Sequence, residues 1–366
     1  MRQVCLVIAA LVLALGLRSQ AAERLGGGNG TLYLGTFGNQ ILILDEATER
    51  VVGRVAMRTG IPRRMSLSHD RKRFYVMNVN MEEVEVVDIA GRQVRDNFKL
   101  SEGDKKVRIM SFEADPANRR MVLLSKTTTR HADRFEIGAP TLVLYDLEAH
   151  KVLRTIDWPK KEEREFANML FSPDGKLLYF FSDDVLIYDT TDFKEVDKWE
   201  LSQPIEPGFG RINFGALDRM NEDPGFFTGL FNVQDPVQNR RIMGVARVNL
   251  AAKNVDFYAL GPASPVGFAL APGRKRAYGL FQQVGKYEFW TFDLENRRLG
   301  TRKEFAGRPR MALRTSSNGK VLYIYQAGNT IDLYDAAEYR FLRRITLDAD
   351  MTTELFVMPP AVAPNH

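Results

Sequence analysis

Short apolar runs, each ending in an acidic or amide side chain, recur along the chain. The clearest are ILILD at 41–45, VEVVD at 84–88, TLVLYD at 141–146, VLIYD at 185–189, ARVN at 246–249, FWTFD at 289–293 and TIDLYD at 330–335. A polar turn follows each, and then a second run. Val, Ile, Tyr and Phe enrichment bounded by Gly, Asp and Asn predicts β-strands. The run-ending residues are Asp45, Asp88, Asp146, Asp189, Asn249, Asp293 and Asp335, separated by 43, 58, 43, 60, 44 and 42 residues. At each, a carboxylate or amide oxygen is expected to accept the N–H groups of the turn.

A repeat of roughly 40–45 residues built from short strands is the pattern of a β-propeller blade. The first-to-second strand turns repeat as well. SHDRKRFYVMN (68–78), SPDGKLLYFFS (172–182), APGRKRAYGLF (271–281) and SSNGKVLYIYQ (316–326) superimpose residue for residue. The blades are expected at 62–103, 107–160, 167–203, 210–262, 265–307 and 309–350. The first unit, 31–60, supplies only three strands, and TELFVM at 353–358 is an isolated strand. An open ring would leave an unpaired edge, so 353–358 is expected to complete the first unit. The predicted fold is therefore all-β, a single seven-bladed propeller of four-stranded blades over 31–358. Two segments, 125–140 and 231–241, lengthen second-to-third strand loops, and 216–225 lengthens a first-to-second strand turn on the opposite face.

The ends of the chain read differently. A short basic start and fourteen apolar residues, Val4 to Leu17, precede Ser19-Gln20-Ala21. This predicts a signal peptide over 1–21, cleaved after Ala21, and a periplasmic or secreted protein. Residues 22–30 form a Gly-rich, flexible lead-in and 359–366 a tail. Cys5 is the only cysteine, so the mature chain has no thiol chemistry. Losing Arg2 and Arg18 lowers the net charge from +5 to +3. That excess does not suggest a nucleic-acid binder, and no second long apolar segment predicts a membrane span.

FYVMN (74–78), the unit SPDGKLLY (172–179), and Gly60-x-Pro62 and Gly307-x-Pro309 ahead of the inner strands resemble the YVTN-type repeat. The resemblance covers nearly all of 31–358. Such repeats occur in surface proteins, lactonase-like enzymes and amine dehydrogenase subunits. In layout the chain also resembles the propeller subunit of quinohemoprotein amine dehydrogenases, which implies a non-catalytic scaffold whose cofactors sit on partner chains.

Catalytic chemistry is sparse. His69, His131, His150 and His366 fall in separate turns and loops, and no G-x-S-x-G occurs. No metal site or cofactor of its own is expected, and Trp158, Trp199 and Trp290 are assigned to packing. Arginines gather where inner strands begin: Arg63, Arg64, Arg108, Arg211 and Arg310, with Asn168 and Glu354 at matching places. Inner strands of a propeller all run the same way round the channel, so these residues converge on one mouth. Guanidiniums there focus positive potential. The expected function is an exported, non-catalytic binding module whose mouth contacts a partner protein or an anionic small molecule or glycan. The alternatives are an accessory subunit of a periplasmic amine dehydrogenase-type enzyme and a lactonase-like hydrolase using Glu354.

Overall fold

The computed structural model describes residues 25–157, 167–181, 184–200, 212–218, 220–325 and 328–360. They form seven antiparallel sheets arranged as a seven-bladed β-propeller. Blade 2 shows the plan: an inner strand Pro62–Leu67, then Arg73–Asn78, Glu83–Asp88 and an outer strand Gln93–Lys99. Blades 3 to 7 follow in chain order. Blade 1 uses Thr31–Thr36, Gln40–Asp45 and Arg50–Ala56, with Phe356–Met358 as its inner strand.

The middle strands of each blade are apolar on both faces because each blade is packed on both sides, while the outer strands are largely exposed. Buried side chains fall into seven clusters, each shared by two neighbouring blades. Leu32, Leu34, Leu42 and Leu44 face blade 7, for example, while Tyr33, Ile41 and Ile43 face blade 2. Period-two alternation thus sends successive residues into different interfaces. Trp290 is buried between blades 5 and 6 and donates its indole N–H to Glu288 at 2.8 Å. Trp199 packs half-buried on the interface of blades 4 and 5; Trp158 lies outside the described residues.

The turn after each third strand is built the same way seven times. The run-ending side chain accepts main-chain N–H groups: Thr48 to Asp45 at 2.7 Å, Ala149 to Asp146 at 2.7 Å, Thr191 to Asp189 at 2.7 Å, Ala252 to Asn249 at 3.1 Å, Asn296 to Asp293 at 3.1 Å and Ala337 to Asp335 at 2.8 Å. Asp88 also holds Arg95 at 3.0 Å. The residue four places on is always left-handed: Glu49, Arg92, His150, Phe193, Lys253, Arg297 and Tyr339 have φ between 47° and 59°. A non-glycine there costs on the order of 1 kcal/mol, which the capped N–H groups offset.

Phe356–Met358 closes the ring by pairing Tyr33 with Phe356, Leu32 with Val357 and Thr31 with Met358. The ladder proper is three residues long, shorter than 353–358, because the Thr353 hydroxyl takes the Gly35 N–H at 2.8 Å in place of a main-chain acceptor. Gly-rich composition predicts a flexible lead-in at 22–30, yet residues 25–30 are tied down. Buried Glu46 accepts from Gly30 N–H at 2.7 Å, Ser317 N–H at 2.9 Å and the Tyr323 hydroxyl at 2.9 Å. Asn318 N–H reaches the Gly27 carbonyl at 3.1 Å. One carboxylate thereby joins the lead-in, blade 1 and blade 7.

The two lengthened units are hairpins rather than loops. In blade 3 the second strand runs on as Arg120–Arg130, and Phe135–Ile137 folds back on it as a fifth short strand. In blade 5, Phe226–Asp235 and Arg240–Asn249 pair throughout. In blade 5 alternation continues through the insertion, with Phe231 and Val233 buried, so the ladder continues too.

Candidate ligand mouth

Inner strands begin on one face of the ring, together with the second-to-third strand hairpins; this is the entry face. The first-to-second and third-to-fourth strand turns form the opposite, turn face. Arg63 is the second residue of Pro62–Leu67 and is exposed. Arg64, half-buried, lays its guanidinium over the Phe112 ring of blade 3, 5.6 Å from the centroid. Arg108 is the fourth residue of its inner strand, not the first, because Lys105–Ala114 starts early to pair with the lengthened second strand. Its Cα partner there is Lys126, so two cations lie opposite each other on one face of the hairpin. Arg310 precedes the inner strand Ala312–Thr315 by two residues, exposed and left-handed at φ 60°. Asn168 is the half-buried first residue of Asn168–Phe171. Arg211 lies outside the described residues.

Glu354 is not available as an isolated carboxylate. Arg314, inside the inner strand of blade 7, donates to it at 2.7 Å and to the Leu355 carbonyl at 3.3 Å. Arg308 is likewise engaged, donating to the Thr330 carbonyl at 3.1 Å beside Asp332. Among the described residues, Arg63, Arg108 and Arg310 have neither a carboxylate partner nor a side-chain hydrogen bond. They come from blades 2, 3 and 7, which with blade 1 occupy consecutive places round the ring. Gln282 fixes the approach to Arg310: its amide oxygen accepts from Met311 N–H at 2.9 Å, and its NH2 donates to the Met311 carbonyl at 2.6 Å. The sequence reading missed Arg314 and Gln282. Arg314 is visible as a polar residue inside an inner strand, whereas nothing in the sequence pointed to Gln282.

On the turn face the channel is crossed. Met220 and its neighbours in the lengthened turn of blade 5 reach over to blade 2, where Arg71 donates to the Met220 carbonyl at 3.1 Å. The Met220 side chain packs on the cluster between blades 1 and 2. Asn221 donates to the Leu270 carbonyl at 2.7 Å in blade 6. Glu222, buried, takes Thr228 at 2.5 Å and Arg247 at 3.1 Å, while Asp223 pairs with Arg274. Burial pushes the Glu222 carboxyl up, but the bonds from Arg247, Thr228 and the Asp223 amide outweigh it and hold the group below its ordinary range. A cleft of 250 Å³ remains around this bridge.

A larger cleft of 560 Å³ opens on the turn face between blades 2 and 3, lined by Lys72, Arg73, Tyr75, Arg95, Asn118 and Arg119 among others. Tyr75 donates to Asn118 at 2.9 Å, and burial pushes its hydroxyl up to about 12. Neither cleft is lined by the entry-face arginines. His69 lies 3.7 Å from Glu113, His150 2.9 Å from Asp96, and His131 2.9 Å from Glu136 on the entry face; His366 lies outside the described residues.

No family model matches the chain, and no curated protein sequence matches it. Solved structures match it as propellers. A functionally unknown protein from Desulfotomaculum acetoxidans is 13% identical, with 91% of this chain and 100% of that one covered and a TM-score of 0.54. The periplasmic gluconolactonase of Pseudomonas aeruginosa is 14% identical, with 90% and 99% covered and a TM-score of 0.53. Dihydro-heme d1 dehydrogenase NirN in complex with DHE is 13% identical, with 93% and 77% covered and a TM-score of 0.53. At these identities the likeness is one of fold, and the YVTN-type repeat stays a resemblance.

Proposed function

We propose that this protein is an exported, non-catalytic binding propeller that takes a carboxylate- or phosphate-bearing ligand at its entry-face mouth. The observation that carries the reading is the set of unpaired, exposed guanidiniums of Arg63 and Arg310 at the starts of the inner strands of blades 2 and 7, and of Arg108 four residues into that of blade 3. Most other arginines near acids are engaged by them, as Arg314 is by Glu354 and Arg302 by Glu288. Three cations left without partners at one mouth attract anions, and each presents the planar fork that matches a carboxylate or phosphate. The left-handed backbone of Arg310, outside any hairpin turn, is a further local cost kept at this place. The bridge from blade 5 crosses the channel on the far side, so a ligand enters from the arginine side.

The test is calorimetric titration with citrate and with inorganic phosphate, comparing wild type with the Arg63→Ala/Arg108→Ala/Arg310→Ala variant. Binding by wild type that weakens at least about tenfold in the variant, and with rising salt, supports the reading. Equal affinity in the two proteins, or no binding of either probe to wild type, overturns it.

A further inference from the structure

The entry face carries a second feature that the arginine mouth does not explain. Large apolar side chains stand exposed at the tips of its hairpins. Phe37 tips blade 1, Phe135 and Ile137 the fold-back of blade 3, Val237 blade 5 and Val284 blade 6. Phe135 is 69% exposed, Ile137 66% and Val237 86%, while Val284 is wholly in solvent. Val79 adds a weaker case at the hairpin of blade 2. The remaining large exposed apolar residues, among those described, lie in outer strands, as Val152 and Phe341 do; the turns of the opposite face have none. Phe135, Ile137 and Val237 lie on the lengthened hairpins of blades 3 and 5. Hydration of these side chains is unfavourable, and no neighbouring residue covers them.

Several cations of the same face have no acidic partner among the described residues. Asp133 pairs with Arg134 and Asp235 with Arg240, and Glu136 lies 2.9 Å from His131. Arg130 and Arg241, beside those tips, have no side-chain partner among the described residues, nor have Arg63, Arg108 and Arg310 at the centre. Glu102 and Asp104, exposed acids of the same face, sit next to Lys105 and Lys106.

We propose that this face docks on an anionic lipid bilayer. The apolar tips enter the headgroup region, and the unpaired arginines meet lipid phosphates. Single side chains projecting from separate points of a ring fit a fluid interface, which needs no matching holes. A folded protein partner would need a pocket for each. Apolar anchors combined with cations are the chemistry of interfacial attachment, and surface cations are drawn to anionic lipid. No described helix is long and apolar enough to cross a membrane. The inference rests on the hairpin tips and stands apart from binding of a soluble anion at the mouth.

The experiment is co-sedimentation of the full chain with phosphatidylcholine vesicles, with and without phosphatidylglycerol. Wild type is expected to pellet with the anionic vesicles and to stay largely in solution with the neutral ones. Phe37→Ser/Phe135→Ser/Ile137→Ser/Val237→Ser/Val284→Ser removes the exposed tips without touching the core and is expected to lower the bound fraction at least about tenfold, while citrate affinity stays at the wild-type value. Inorganic phosphate at constant ionic strength is expected not to release the protein. The inference is overturned if wild type fails to pellet with anionic vesicles, if the tip variant pellets as wild type does, or if phosphate alone releases it. Citrate binding lost in the arginine variant and kept in the tip variant, with vesicle binding lost in the tip variant and only weakened in the arginine variant, separates the two proposals.

Discussion

Arg71 in blade 2 donates through Nη2 to the main-chain carbonyl of Met220 in blade 5, 3.1 Å away. The two blades are not neighbours, so this bond spans the axis of the ring and anchors the far end of the lengthened turn.

Glu222 anchors the near end, and its charge gives the bridge a pH signature. Glu222→Gln removes bonds to Arg247 and Arg274 from a buried site. The expected loss is about 2 kcal/mol at neutral pH, toward the low end because both guanidiniums are half exposed. A carboxyl held low in the folded state stabilises above its unfolded value, 4.5, and that gain disappears as pH falls through the lower folded value. Urea midpoints should therefore differ most at neutral pH and converge in strong acid. A difference that persists unchanged in acid would show that the amide disturbs packing rather than charge.

Gly27 lies where a side chain cannot fit. A Cβ there would sit 1.9 Å from the Tyr323 hydroxyl and 2.9 Å from Glu46 Oε1. Gly27→Ala must displace the buried bond between those two groups and is expected to cost about 2 kcal/mol in chemical denaturation. Gly138→Ala, with only one main-chain atom at 3.4 Å, is the control and should lie within about 0.5 kcal/mol of wild type.

Phe356 packs edge-on against Phe74, with centroids 5.1 Å apart, and is buried. Phe356→Ala is expected to cost about 3 kcal/mol and to speed amide exchange first along Thr31–Thr36, its ladder partner. Uniform acceleration over all blades would argue against a local seam.

The repeated turns should behave as independent devices. Asp146→Ala and Asp293→Ala each remove acceptors of main-chain N–H groups on exposed turns of blades 3 and 6. Each is expected to lower the urea midpoint slightly, and the shifts should add in the double variant. Citrate titration should be unchanged in all three proteins. A selective loss of binding would give these acids a role beyond the turn.

The blade count was legible because it follows from local periodicity. Anchor spacing set the units, and the incomplete first unit with a stray strand at 353–358 required closure. What escaped the sequence depends on contacts far apart in the chain. The stretches 125–140 and 231–241 look like loops by length, yet Phe231 and Val233 continue an alternation that a neighbouring strand can read. The turn 216–225 gave its face but not its reach, because Met220 packs against residues from blades 1 and 2. At the mouth, RPRMALR contains Arg308, Arg310 and Arg314 within one short segment. Only the fold shows that Asp332 and Glu354 engage the outer two and leave Arg310 without a partner.

The pairing of Tyr33 with Phe356 joins residues from opposite ends of the chain. Blade 1 therefore cannot be completed until nearly the whole polypeptide has been made. Three of its strands form early and wait with an open edge on the channel side, while six further blades assemble between them and their fourth partner. Bringing such distant segments together is slow relative to hairpin formation, and an unpaired edge is a hazard for association during the wait. Sealing of the ring is thus tied to Phe356–Met358, and a chain cut short before Phe356 would be left as an unsealed ring.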